Sequence, residues 1–156
     1  MFARYYLDLE VPYADVEASL TADPETWMPG LLRAAEERGE ALLAEVGFGL
    51  DERRIDKEVE IRVGTPYRIP TKTLLPMSWT ATGAERLFPQ LDADIEVAAL
   101  GPHRTQLSIS ARYRPPMGVI GRALDRALLH RVAEATIKDF LDRVGERIGA
   151  REPSAS

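Results

Sequence analysis

The sequence contains no cysteine. That absence removes disulfides, thiolate metal ligands and cysteine nucleophiles together, and it suits a reducing compartment. Histidine is almost missing as well, since His103 and His130 are the only two. No HExxH motif and no histidine–carboxylate spacing of a metal site occurs, so neither a metal nor a cofactor is expected. There is no GxSxG elbow and no GxxxxGK[ST] phosphate loop. No apolar run is long enough to cross a bilayer as a helix, and the opening stretch MFARYYLDLEV alternates and carries charge, unlike a signal peptide or anchor. Positive charge is in the minority: 20 Lys and Arg face 25 Asp and Glu, for a net charge of −5. A chain of that balance is not built to coat nucleic acid. Together these absences predict a cytoplasmic protein with no nucleic-acid partner and no integral membrane segment.

What is present is ordinary for a globular chain. The 156 residues, 45% of them hydrophobic, suffice for one core. We expect a single domain over residues 1–150 and a disordered tail, REPSAS, over 151–156. Residues 3–11 put Ala3, Tyr5, Leu7, Leu9 and Val11 on one face and Arg4, Tyr6, Asp8 and Glu10 on the other, the mark of a half-buried strand. Pro12 then opens a short helix with Tyr13, Val16 and Leu20 on one side. Asp23-Pro24 starts a second short helix carrying Trp27, with Pro29-Gly30 as an interruption and Gly39 as its stop. Residues 31–50 read either way; we place a strand at 41–50. Period-two alternation follows in RRIDKEVEIRV (53–63), TKTLLPMSWTAT (71–82), QLDADIEVAAL (90–100) and RTQLSISARYR (104–114). Thr82-Gly83 and Gly101-Pro102 mark turns.

The stretch ARYRPPMGVIGRAL then stops the last strand, because proline cannot donate to a ladder and glycine lets the chain turn. A helix over 122–148 follows, spanning roughly 40 Å at 1.5 Å per residue, enough to cover an apolar sheet face from end to end. Its apolar face is Leu129, Val132, Ala133, Ile137, Phe140, Leu141, Val144 and Ile148. Ile120, Leu124, Ala127 and Leu128 fall on nearly the opposite side, which predicts a break near 122–128.

With this order of elements, the stretch TQLSISARYRPPMGVIGRALDRALLHRVAEATIKDFLDRV resembles the START-like or Bet v 1-like (SRPBCC) superfamily, in its polyketide cyclase and dehydrase branch. WTATGAERLFPQLDADIEV is similar to bacterial members of unknown function. The resemblance covers residues 2–149. It implies an α+β helix-grip fold: a bent antiparallel sheet of six to seven strands wrapped around a long C-terminal helix, with two short helices after the first strand. It also implies an apolar cavity between sheet and helix that takes lipids, sterols, hormones or polyketides. The superfamily has no universal catalytic residue, so none is carried over.

The residues themselves leave three readings open: a carrier of a small hydrophobic or amphipathic ligand, a cyclase- or dehydratase-like enzyme using the same cavity, and an interaction module docking through Ile120, Leu124 and Leu128. A homodimer is compatible with any of them. His103 sits in a turn and reads as solvated. His130 borders the apolar face of the long helix, where it either donates to a ligand oxygen or acts as an acid or base, or is a boundary residue bonded to a neighbouring carbonyl or to Glu134. Trp79, Tyr113, Tyr5, Trp27 and Met77 are candidate cavity linings, with Ala133 and Ile137 facing them from the helix; the alternative is plain core packing. Residues 102–131 hold six arginines against Asp125 alone. Arg122 and Arg126 therefore read as an anion-attracting rim, while Arg112 and Arg114 could instead pair with Asp8 and Glu10 across strands.

Overall fold

The computed structural model describes residues 2–45, 58–82, 91–113 and 126–151. Strand β1 (Phe2–Leu9) leads into helix α1 (Tyr13–Thr21) and helix α2 (Pro24–Glu45). Strands β2 (Glu58–Val63), β3 (Tyr67–Ile69), β4 (Lys72–Thr82), β5 (Leu91–Gly101) and β6 (Arg104–Tyr113) follow, and helix α3 (Arg126–Arg151) closes the described chain. The strands form one bent antiparallel sheet in the order β1-β6-β5-β4-β2, with β3 also paired to β4. The fold is α+β, with α3 lying against the concave face, and this is the helix-grip arrangement that the resemblance implies.

The alternating residues explain which face is covered. Register aligns Ile61, Trp79, Leu91 and Tyr113 in one row across four strands. The next row is Val63, Met77, Ala93, Ala111 and Ala3, and the one after it holds Leu75, Ile95, Ile109 and Tyr5. Most of these side chains are buried, whereas the intervening positions such as Arg62, Asp92, Asp94 and Arg112 are exposed. From α3, Val132, Ala133, Ile137, Phe140, Leu141, Val144 and Ile148 are buried, as their helical spacing predicts. Gly145 lets α3 sit close to β1: a Cβ there would lie 3.2 Å from Leu7 Cδ1. The Thr105 hydroxyl donates to the Val11 carbonyl at 2.6 Å and ties β6 to the segment entering α1.

Three expectations are corrected. The helix that starts at Pro24 is 22 residues long, not short, and it runs through both Pro29 and Gly39. Residues 41–45, expected in a strand, are its last turn; 46–50 lie outside the described residues. Pro29 deprives only the Glu25 carbonyl of an intrahelical partner, and Glu25 is exposed to water in the first turn. Met28, Leu32, Ala35 and Gly39 form a buried stripe at helical spacing, so packing overrides weak local propensity. The break expected near 122–128 is not found at 126–128, where α3 is continuous; 122–125 lie outside the described residues. Finally, Asp8 meets Arg104 at 3.1 Å rather than Arg112. Antiparallel pairing runs the end of β6 to the start of β1, so Arg112 stands opposite Phe2. Arg114 lies outside the described residues.

Candidate functional site

The row Trp79–Leu91–Tyr113 lies near one end of the concave wall, and the two aromatic residues flank Leu91. Strand spacing puts their Cα atoms roughly 10 Å apart. Trp79 is 1% exposed and its ring lies 5.7 Å from that of Phe140 at 53°. Its indole N–H is buried and has no hydrogen-bond partner among the described residues. Beside this row, Ala93, Ala111 and Ala3 form a run of small residues next to Met77. Ile137 and Ala133 are buried on the facing helix.

Tyr113 is 2% exposed, and its hydroxyl lies 3.0 Å from His130 Nδ1. The two rings are stacked, with centroids 6.4 Å apart. One helical turn on, Glu134 takes the other imidazole nitrogen, Nε2, at 2.5 Å. A carboxylate only accepts, so Nε2 carries a proton, and in the neutral ring Nδ1 is the acceptor for the Tyr113 O–H. Burial, and secondarily the Glu134 charge, push the Tyr113 phenol above the ordinary tyrosine range. His130 thus bridges a buried phenol to an exposed carboxylate.

The other candidates are distributed elsewhere. Tyr5 donates its hydroxyl to Asp142 Oδ1 at 2.9 Å, under the Lys138 ammonium at 5.4 Å. Burial and the Asp142 hydrogen bond raise its phenol pKa. Trp27 donates its N–H to the Ala22 carbonyl at 3.0 Å and stacks on Arg147. Arg147 is seventeen positions along α3 from His130, roughly 25 Å at helical rise, so Trp27 belongs to the far end of the interior. Arg126 is the first residue of α3. Arg122, Ile120 and Leu124 lie outside the described residues. His103 is exposed in the β5–β6 turn.

Among the depressions on the described surface, two lie near the sheet. One, of about 320 Å³, lies between the α1–α2 turn and the β2–β3 connection and reaches the concave wall at Val63 and Leu75. Leu75 is four residues from Trp79 along β4, roughly 13 Å. The other, of about 360 Å³, lies against the outer face, where Arg62, Ser78, Asp92 and Arg112 alternate across four strands. Opposite charges there offset one another. Sequence reading missed β3, whose three residues are too few for a period, and it missed that the Trp79 N–H has no partner among the described residues, which only packing reveals.

No family model matches the chain, and a search of curated proteins finds no match. Solved structures do match its shape. An uncharacterised protein from Bacillus thuringiensis superposes with a TM-score of 0.57 at 9% identity, over 95% of this chain and 98% of its own. A conserved protein from Geobacillus kaustophilus gives 0.54 at 15% identity, over 96% of each chain. Ara h 8.0201 gives 0.50 at 9% identity, over 97% of this chain and 99% of its own. Agreement along nearly whole chains gives this protein the Bet v 1-like helix-grip fold.

Proposed function

We propose that the chain binds a small amphipathic molecule between the concave sheet and α3, with the polar end of the ligand at Trp79 and Tyr113. The observation that carries this reading is the Trp79 indole N–H. Buried polar groups are nearly always hydrogen-bonded, and leaving one unpaired costs about 1–3 kcal/mol. A tryptophan used only as filler at a 1% exposed position would incur that cost without return. A ligand oxygen accepting from Nε1 removes the cost. The run Ala93, Ala111 and Ala3 keeps the adjoining wall shallow, and the opening at Val63 and Leu75 offers a route in. The Bet v 1-like fold supports the same class of ligand, a small hydrophobic molecule.

The Tyr113–His130–Glu134 contacts favour a second reading, acid–base chemistry on the bound molecule, since they join a buried phenol to a carboxylate through an imidazole. The binding reading is tested in a Trp27→Phe variant, which leaves Trp79 as the only tryptophan. A brominated long-chain alcohol should quench its emission saturably. Trp79→Phe in the natural background should weaken binding of the alcohol by about tenfold, the worth of one hydrogen bond, and leave a hydrocarbon of equal length unaffected. Quenching that rises linearly with no saturation would refute an interior site.

A further inference from the structure

We infer that Tyr113, His130 and Glu134 form a proton relay that selects ligands bearing a weakly acidic hydroxyl, of phenol or enol type, and holds them as anions. The inference rests on the interior binding site proposed above and names the chemical class it takes. The geometry is directional. Glu134 Oε1 receives the proton on His130 Nε2, so the neutral imidazole receives the Tyr113 hydroxyl proton at Nδ1. A phenolic oxygen accepts as well as donates, so a ligand O–H can address the same atom that donates to Nδ1.

Two protons then shift together. The ligand O–H bond breaks as its proton joins the Tyr113 oxygen. The Tyr113 O–H bond breaks as that proton joins Nδ1. One new O–H bond and one new N–H bond replace the two O–H bonds lost, and no electron leaves the system. The products are a ligand oxyanion, a neutral Tyr113 that donates to it, and an imidazolium held between Tyr113 and the Glu134 carboxylate. Glu134 is half exposed, so water reaches the outer end of the relay while Tyr113 remains buried. Net charge is conserved, and the new positive charge lies beside an existing negative one.

The placement of each group decides where charge settles. Burial and the Glu134 field disfavour the phenolate of Tyr113, so the tyrosine conducts the proton without keeping the negative charge. An alkanol is too weak an acid to give its proton up, and a carboxylic acid is already ionised at neutral pH. A phenol or enol acidified by a conjugated carbonyl or nitro group lies well below the ordinary phenol value, which is roughly 10, and so is the class whose ionisation the relay can shift. Across Leu91, the Trp79 N–H, which has no partner among the described residues, supplies a donor to a second ligand oxygen.

The test uses 4-nitrophenol and the Trp27→Phe protein, held one pH unit below the ionisation of the free phenol. Emission from Trp79 reports occupancy, and visible absorbance reports the nitrophenolate. The bound probe should contain about tenfold more anion relative to phenol than the free probe, a shift of about one pH unit. His130→Gln should abolish that excess while quenching persists. Glu134→Gln, on an exposed side chain, should reduce it and keeps the test decisive if His130→Gln does not fold. Quenching by a probe no more ionised than in solution would overturn the relay and leave the binding site standing. An anion excess that survives both substitutions would also overturn it. Absence of quenching would remove the site itself and the relay with it.

Discussion

Phe140→Ala measures how firmly α3 grips the sheet. The side chain is fully buried and its ring meets Trp79 at 5.7 Å, so it sits on the concave wall rather than at the rim of the helix. Losing a fully buried phenylalanine forfeits roughly 2–3 kcal/mol of transfer free energy. The vacated space adds about 24 cal/mol for each Å³ that does not collapse, so a residual void of roughly 60 Å³ contributes about 1.5 kcal/mol more. The expected loss is therefore about 3.5–4.5 kcal/mol. Urea unfolding followed by tryptophan emission gives the assay. At a slope of about 2 kcal/mol per molar, the midpoint should fall by roughly 2 M with the slope unchanged. The Trp79 emission of the folded variant should also shift, since its ring partner is gone. Phe140→Leu, which keeps most of the volume, should lose less than half as much. A loss below about 1 kcal/mol for the alanine variant would mean that the helix presents a different face to the sheet.

Lys72→Met should reveal the Lys72–Glu96 pair, 2.8 Å apart, as a pH-dependent contribution. The hydrogen bond from Lys72 holds the Glu96 carboxyl below its ordinary range, so the pair stabilises above the unfolded carboxylate value and the benefit is lost as pH falls through the lowered folded value. The urea midpoints of the parent and variant should accordingly differ at pH 7 and converge near pH 3; equal separation at both would refute the pairing. Gly145→Leu should destabilise by about 1–3 kcal/mol through overpacking against Leu7 and Leu9, as read by the same unfolding curve. Gly145→Ala, by contrast, should change stability by less than about 1 kcal/mol, since helix propensity and a 3.2 Å approach to a leucine methyl oppose each other.

Much of the candidate site can be read from local spacing. Tyr113 and Trp79 fall on the apolar face of their strands by parity, and Ala133 and Ile137 on the buried stripe of α3 by helical phase. Glu134 is four residues from His130, so their contact is a local property of a helix. The approach of Tyr113 to His130 is different. It depends on where α3 sits against β6, which no periodicity describes.

The sequence by itself determined the order and kind of nearly every element, because each strand and helix writes its period into a handful of neighbouring residues. It determined which side of β4, β5, β6 and α3 would be dry, because solvent exclusion acts on that same period. Tertiary structure alone decided that α2 continues past Pro29 and Gly39, since burial of Met28, Leu32 and Ala35 outweighs two poor helix formers. It also decided that Arg104 rather than Arg112 meets Asp8, since register is a relation between strands nearly a hundred residues apart. And it alone decided that the Trp79 N–H is buried without a partner among the described residues while Tyr113 finds His130. Hydrogen bonds between distant side chains depend on the three-dimensional positions of both partners, and local sequence specifies only one of them at a time.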